Sequence, residues 1–159
     1  MNSDSEKARA EREYPKSPIV GVGAVVLHDR DVLLVRRGRE PMLGAWSLPG
    51  GALELGETTA EGVAREVLEE TGLRVEAVEI IATLDRIVRD KDGRVRYHYT
   101  LVEWLCRSHG SMVDVVCGDD AAEAIWVRFT EISSPKFGLD ATTLGVIERA
   151  LKLAEITEQ

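Results

Sequence analysis

The chain has 159 residues, a length that accommodates one domain with its own hydrophobic core. Its composition, with 44% hydrophobic, 30% charged and 5% aromatic residues, is that of an ordinary globular domain. A net charge of -8 argues against stable binding to nucleic acids, which would be repelled. No apolar run approaches the roughly 20 residues that span a bilayer, so we expect no membrane association and a cytoplasmic location.

The first segment, residues 1–17, is polar and has too little apolar content to order itself. We expect this segment to be flexible and residues 18–159 to form one domain. The segment lacks the apolar centre of a secretory signal and carries acidic residues that a mitochondrial presequence avoids. The two cysteines, Cys106 and Cys117, are too few for a disulfide framework, and we expect both to be reduced.

The first predicted elements are two β-rich runs in "IVGVGAVVLHDRDVLLVRRG", separated by the polar turn "HDRD", which together predict a hairpin. A loop rich in glycine and proline, "GREPMLGAWSLPGG", leads into an acidic segment. In that segment Thr58 and Glu61 have the spacing of a capping box, and Gly72 follows the last turn, so we predict a helix over Thr59–Thr71. Its inward face is predicted to consist of Ala60, Val63, Ala64, Val67 and Leu68.

The later elements are predominantly strands, with one closing helix. We predict strands in "VEAVEIIATLDRIVR" and "RVRYHYTLVEWLCR", joined by the turn "DKDG", and a further strand in "EAIWVRF". The C-terminal "DATTLGVIERALKLAEI" is predicted to be helical, with Asp140 as its N-cap. Its apolar stripe comprises Leu144, Ile147, Leu151 and Ala154. This order of elements predicts an α/β fold with a mixed sheet between helical layers.

Three carboxylates on the first helix carry the chemical signal. Glu66, Glu69 and Glu70 stand at i, i+3 and i+4, which brings them to one side of the helix. Carboxylates this close raise one another's pKa and weaken the helix unless a counter-charge is present. Magnesium prefers oxygen ligands from one or two carboxylates, with water and substrate phosphates completing its shell. The spacing therefore indicates a divalent cation site.

The segment around these glutamates resembles the Nudix box, G-x5-E-x7-R-E-U-x-E-E-x-G-U with U aliphatic. The chain matches the box at every defined position, with Gly51, Glu57, Arg65, Glu66, Val67, Glu69, Glu70, Gly72 and Leu73. The flanking "LLVRRGREPMLGAWSLPGG" and "EAIWV" are also similar to the family, so the resemblance covers about residues 19–132.

The resemblance implies a Nudix fold, an α/β/α sandwich around a mixed sheet, and hydrolysis of nucleoside diphosphates linked to another moiety. It implies that Glu66, Glu69 and Glu70 bind Mg²⁺ or Mn²⁺ with help from the main-chain carbonyl of Gly50. Arg65 is then not a ligand, and we expect it to hold a neighbouring carboxylate, Glu57, by charge-assisted hydrogen bonds. Many members of the family dimerise, so the resemblance is compatible with a homodimer, and the sequence alone does not decide the oligomeric state.

Three glutamates are candidates for the general base that accepts the proton of the attacking water, namely Glu66, Glu69 and, outside the box, Glu123. Arg36 and Arg37 end a predicted strand that should reach the site. One of them is expected to contact a phosphate, with a solvated strand end as the equal alternative. Trp46 is expected to belong to the core, with stacking on a nucleobase as the alternative.

The expected substrate is a nucleotide-type small molecule, with ADP-ribose or a similar nucleotide sugar favoured by the resemblance. Pyrophosphohydrolysis of (d)NTPs to remove damaged nucleotides is the alternative reaction. A non-catalytic, nucleotide-sensing Nudix domain is the third hypothesis, and the intact set of box glutamates argues against it.

Overall fold

A computed structural model of the chain describes residues 7, 11–38, 42–109, 115, 116, 118 and 121–157. The strands are β1 (Ile19–His28), β2 (Asp31–Arg37), β3 (Trp46–Ser47), β4 (Gly50–Ala52), β5 (Val75–Arg89), β6 (Val95–Ser108) and β7 (Ala121–Arg128). The helices are α1 (Thr59–Thr71) and α2 (Ala141–Thr157), with a short 3-10 helix at Phe129–Glu131. The predicted hairpin, strands and helices are therefore present, but the segment predicted as a loop also contributes the short strands β3 and β4, which pair with β2 and β1. None of the helices in these ranges is long and apolar enough to cross a membrane.

The strands form a mixed sheet with the order β3-β2-β1-β6-β5, while β4 pairs with β1 and β7 pairs with β2. β1 and β6 run parallel, and the other pairs are antiparallel. β1 pairs with β4 through Gly21–Gly23 and turns into the β1–β2 hairpin at its other end. This arrangement fixes the glycine pair of β4 at the middle of the sheet, directly before α1.

α1 is delimited by the two caps that the sequence predicts. The Thr58 hydroxyl accepts a hydrogen bond from the Glu61 N–H at 3.1 Å, and the Glu61 carboxylate accepts one from the Thr58 N–H at 2.9 Å. Gly72 ends the helix in the left-handed conformation with φ of 73°, where a side chain is strained. The helix boundaries are thus determined locally, and they set the register of the acidic residues within α1.

The predicted inward face of α1 is wrong at one position. Val63 and Val67 are fully buried, but Leu68 is 38% exposed. Gly62 and Thr71 are buried instead. The buried face of α1 therefore runs through residues about one turn apart, and Leu68 lies at its edge. Val67 and Leu68 differ by about 100° around the helix axis, which is enough to separate core from solvent.

The sheet has a hydrophobic core on each face. Val22, Ala24 and Val26 of β1 pack towards α1 with Val63 and Val67. Val25 faces the opposite way and packs with the core under α2. Alternation of side chains along β1 explains this division. The α/β/α sandwich predicted for the chain is therefore confirmed.

α2 is capped and packed as predicted. The Asp140 carboxylate accepts a hydrogen bond from the Thr143 N–H at 2.7 Å. Ile147 is fully buried, and Leu144, Leu151 and Ala154 pack partly buried against the same core.

The cysteine and N-terminal predictions fall only partly on described residues. Cys106 is a free, buried cysteine, and burial raises the pKa of its thiol to about 12. Cys117 lies outside the described residues. Of the segment predicted to be flexible, residues 1–6 and 8–10 also lie outside the described residues. Among its described residues, Glu13 accepts a hydrogen bond from Arg96 and Tyr14 donates one to Asp90.

Candidate active site

The three glutamates of α1 lie beside the glycine pair of β4, and they differ in exposure. The side chain of Glu66 is 14% exposed, whereas that of Glu69 is 40% exposed. The Gly50 N–H donates to Oε2 of Glu70 at 3.3 Å, which ties the glutamate to β4. We refer to Glu66, Glu69 and Glu70 as the acidic cluster.

Arg65 lies among these carboxylates and binds several of them at once. Its Nε and Nη2 donate to the two carboxylate oxygens of Glu57 at 3.0 and 2.7 Å. Its Nη1 donates to Glu66 at 2.9 Å and to Glu69 at 3.1 Å. Nη2 also donates to the main-chain carbonyl of Ala52 at 3.1 Å. Arg65 therefore makes the expected charge-assisted hydrogen bonds to Glu57, and their bidentate geometry is a finding of the structure. The further bonds to Glu66 and Glu69 were not expected from the sequence.

The charges of this network shift the pKa values in opposite directions. The hydrogen bond from Arg65 lowers the pKa of Glu57, and the bond to Glu57 is the main reason that the pKa of Arg65 is raised. Burial raises the pKa of Glu66, although Arg65 and more weakly Arg12 oppose the rise. Glu66 is therefore a carboxylate for which an additional positive charge would be strongly favourable.

The acidic cluster has the donor chemistry of a divalent cation site. All its donors are oxygens, the type that Mg²⁺ and Mn²⁺ take, and Gly51 leaves the space that the Glu66 carboxylate occupies. Within the described ranges, no three His, Cys, Asp or Glu side chains converge closely enough to hold an ion. The reason is visible in the contacts, because Glu66 and Glu69 turn towards Arg65, which neutralises them. The residues fit a cation, and ligation requires Arg65 to release these two carboxylates.

Gly51→Ala tests the dependence of the Glu66 position on this glycine. A Cβ at position 51 would lie 2.5 Å from Oε1 of Glu66, so the carboxylate must move. If Glu66 is a ligand, the affinity for Mn²⁺, measured by electron paramagnetic resonance titration, should fall about tenfold or more, because the substitution displaces its carboxylate. The free energy of unfolding should change by less than about 2 kcal/mol, because the displaced group is a side-chain end. Unchanged Mn²⁺ affinity in the variant would contradict a role for Glu66 as a ligand.

Arg36 and Glu123 face each other across the β2–β7 pair. The two residues are directly opposite each other in the antiparallel pairing of β2 and β7, and Arg36 Nε lies 3.2 Å from Oε2 of Glu123. The arginine also lies 5.9 Å from the ring of Trp46. In the part of the chain that the structure describes, Glu123 is therefore paired with Arg36 and with no residue of the acidic cluster.

A small cavity brings both arginines from the end of β2 to Glu70 of the acidic cluster. Arg36 and Arg37 line it together with Ser47, Gly50 and Glu70. The strand end formed by these arginines thus lies across from α1.

A larger cavity of about 420 Å³ adjoins the first one and shares Arg36 and Arg37 with it. One wall is aromatic, with Trp46 and Phe137 in edge-to-face contact at 5.8 Å between ring centroids. The other charged lining residues are Arg86, Lys136 and Asp140. Trp46 is half-buried, packs on the core and also lines the cavity, so it has features of both roles weighed for it. The sequence pattern singled out none of the residues from Pro135 to Leu139 that complete this cavity.

Glu103 is a buried carboxylate that the sequence analysis missed. The residue is 7% exposed, and its Oε2 has no hydrogen-bond partner among the described residues. It lies on β6 over Gly23 of β1, where an ordinary side chain would collide with it. Burial raises the pKa of Glu103, and the charge of Arg86 offsets part of the rise. The only sequence signal was one acidic residue within the short apolar run Leu101–Leu105 of β6.

Glu103→Met is expected to change how stability depends on pH. Because the folded pKa is raised, the folded wild type holds a proton that the unfolded chain releases, so its free energy of unfolding falls as pH rises above about 4.5. The variant has no carboxyl at this position, so its stability does not fall in this way. The free energy of unfolding of the variant minus that of the wild type should therefore be larger at pH 8 than at pH 4. Urea unfolding at both pH values measures the difference. Parallel pH profiles for the two proteins would contradict the assignment.

The comparisons with known proteins agree with this geometry. A family model for the NUDIX domain matches residues 17–148, and the chain belongs to this family of Nudix hydrolases. An ADP-ribose pyrophosphatase of Methanocaldococcus jannaschii is 32% identical over 123 residues, which cover 77% of this chain and 68% of that protein. The 8-oxo-dGDP phosphatase of Homo sapiens is 41% identical over 115 residues, covering 70% of this chain and 33% of that protein.

Solved structures show the same fold. The crystal structure of a MutT NUDIX hydrolase from Burkholderia pseudomallei has a TM-score of 0.67 and 26% identity, covering 84% of this chain and 98% of that one. The chain spans only 47% and 45% of the length of two other bacterial relatives. The family and the fold predicted from the sequence are confirmed.

Proposed function

We propose that this chain hydrolyses the diphosphate linkage of a nucleoside diphosphate derivative, with ADP-ribose or a similar nucleotide sugar as the favoured substrate. The observation that carries the proposal is the position of Arg36 and Arg37 between the acidic cluster and the larger cavity. A diphosphate placed there would meet carboxylate-bound cations on one side and guanidinium groups on the other.

Glu66, Glu69 and Glu70, with the carbonyl of Gly50, would hold a divalent cation, for which Mg²⁺ is the first choice and Mn²⁺ the second. When bound, the cation polarises phosphoryl oxygens and lowers the pKa of the attacking water. Arg65 would then keep Glu57 and release Glu66 and Glu69. Its two hydrogen bonds to Glu57 support this division, because they form the bidentate pair and do not involve the cluster.

One carboxylate must accept the proton of the attacking water. Glu66 and Glu69 lie in the acidic cluster, and Glu123 lies on β7 in an ion pair with Arg36. For Glu123 to act, Arg36 has to exchange this carboxylate for a substrate phosphate, a competition that the exposure of both side chains permits. All three glutamates stay candidates.

The nucleoside part of the substrate is assigned to the larger cavity. Its volume of about 420 Å³ falls within the usual range of small-molecule sites, and Trp46 and Phe137 offer aromatic surface to a base. The cationic lining residues suit an anionic ligand despite the net charge of -8. The archaeal relative named as an ADP-ribose pyrophosphatase supports the same choice.

The second candidate is hydrolysis of a damaged nucleotide, which the similarity to the human 8-oxo-dGDP phosphatase favours. The same cation site and arginines would serve this reaction, so the site alone does not distinguish the two candidates. The substrate that is turned over, and the bond that is cleaved in it, distinguish them. A purely nucleotide-sensing domain has no need for all three cluster carboxylates.

Product analysis by phosphorus NMR distinguishes these functions. With Mg²⁺ or Mn²⁺, the chain should convert ADP-ribose to AMP and ribose 5-phosphate. The rate of this reaction is compared with the rates on nucleotide sugars, dinucleotides and canonical or oxidised nucleotides. Faster release of phosphate or pyrophosphate from oxidised nucleotides would favour the second candidate. Binding of nucleotides without turnover of any member of the panel would contradict both enzymatic proposals.

A further inference from the structure

The connection between β2 and β3 presents two neighbouring apolar side chains to solvent. Met42 is 64% exposed and Leu43 is 60% exposed. Of these two described residues, only Met42 lines the larger cavity, together with Gly44 and Ala45 that follow it. The Met42 side chain therefore lies at the rim of the cavity, in contact with both the cavity and water.

The backbone holds Met42 in a conformation that few residues of its size adopt. Its φ is 64°, in the left-handed region, which is unfavourable for a residue with a bulky side chain. The Ala45 N–H donates a hydrogen bond to the Met42 carbonyl at 3.0 Å. The Arg37 N–H in turn donates to the Ala45 carbonyl at 2.9 Å. These bonds fix the position of Met42 relative to Arg37, one of the arginines that line both cavities.

Packing within the protein does not account for a methionine at this position. Met42 is part of neither hydrophobic core in the described ranges, and about two-thirds of it is in contact with water. Glycine or asparagine would adopt the same backbone conformation at a lower cost. Residues held in unfavourable backbone conformations cluster at ligand sites, and a ligand in the cavity would cover the exposed apolar surface of Met42.

The neighbouring wall of the cavity suits a planar, apolar group. Trp46 and Phe137 form its aromatic part. Arg36 is directly opposite Trp46 in the pairing of β2 and β3, so the aromatic wall adjoins the arginines assigned to the diphosphate. The flexible, polarisable thioether of methionine makes favourable contacts with aromatic rings. A nucleobase attached to a diphosphate at these arginines is therefore within the part of the cavity that Met42 lines.

We propose that Met42 is a substrate-binding residue that covers the nucleobase at the rim of the larger cavity. This inference rests on the proposed function, since it concerns the nucleoside part of the same substrate. Methionine has only a weak hydrogen-bond acceptor, so the contact recognises the apolar face of a base and not its polar edge. Met42 thus contributes affinity for nucleotides as a class.

The test is binding of the non-hydrolysable nucleotide α,β-methylene-ADP in Mg²⁺, measured by isothermal titration calorimetry on the full chain. We expect Met42→Ala to weaken binding about tenfold, the effect of losing about 55 Å² of buried apolar surface. Leu43→Ala is the matched control, because it removes an equally exposed apolar side chain outside the cavity, and it should leave the affinity within about twofold. Equal affinities for the two variants, or no binding by the wild type, would overturn the proposal.

Met42→Gly separates ligand binding from stability. Glycine adopts a φ of 64° without strain, so the urea midpoint should be no lower than that of the wild type, while binding of the analogue weakens as it does for Met42→Ala. A clearly lower urea midpoint would show that the methionine packs within the free protein, against the proposal. If the wild type hydrolyses no nucleotide but Met42→Ala still weakens binding, the proposed function fails and the inference stands. Hydrolysis by the wild type with unchanged binding in Met42→Ala gives the opposite result.

Discussion

Glu69→Gln is expected to reduce kcat by about 10³-fold while the protein remains folded. The amide keeps the shape of the carboxylate but removes the negative charge that a divalent cation needs from its ligand. A loss of several kcal/mol in transition-state stabilisation corresponds to this factor. Glu69 is 40% exposed on α1, so the substitution creates no cavity and leaves no buried group unpaired. Steady-state kinetics in saturating Mg²⁺, with circular dichroism to verify folding, measures the effect.

Glu148→Gln is the matched control for this substitution. Glu148 is also an exposed glutamate on a helix, where it pairs with Lys152 at 3.3 Å, and it lies outside both cavities. Its replacement should leave kcat within about twofold and stability within about 0.5 kcal/mol. Activity of folded Glu69→Gln within a few-fold of the wild type would refute the proposed role of Glu69 in cation binding.

Arg65→Met is expected to destabilise the protein by about 3 kcal/mol in the absence of divalent cations. The methionine retains much of the aliphatic volume, but Glu57 and Glu66, which are 15% and 14% exposed, lose their shared counter-charge. The carbonyl of Ala52 also loses its hydrogen bond from the guanidinium. Removal of the arginine leaves partly buried carboxylates without a counter-charge and with little access to water, and this lowers the free energy of unfolding.

The same variant should respond more strongly to Mg²⁺ than the wild type does. In the wild type, a cation has to displace Arg65 from Glu66 and Glu69, whereas in the variant it supplies the missing counter-charge directly. Urea unfolding with and without Mg²⁺ measures both effects, and Arg149→Met, an exposed arginine of α2, is the control. An unfolding free energy equal to that of the wild type would contradict the neutralising role of Arg65.

The features that the sequence predicted well depend on local spacing. The capping box, the glycine stop after α1 and the N-cap of α2 each involve residues within four positions of one another, so composition and periodicity suffice. The same holds for the three glutamates on one side of α1. The family resemblance then added the fold and the roles expected of these residues.

The features that escaped prediction depend on contacts between distant segments. Glu13 and Arg96 are 83 positions apart, and Glu103 becomes a buried carboxylate only because β6 pairs in parallel with β1 at Gly23. Local spacing specifies neither contact. The predicted burial of Leu68 was wrong for a related reason. Which residues of a helix are buried depends on how its whole face packs on the sheet, and this packing can leave a single apolar residue exposed.

A crystal structure of the chain with Mn²⁺ and α,β-methylene-ADP tests the central claim most directly. Anomalous scattering should show manganese bound by Glu66, Glu69 and Glu70, with Arg65 retained on Glu57 alone and phosphoryl oxygens completing the coordination. Manganese absent from this position while the nucleotide is bound elsewhere, with Arg65 still holding Glu66 and Glu69, would contradict the account.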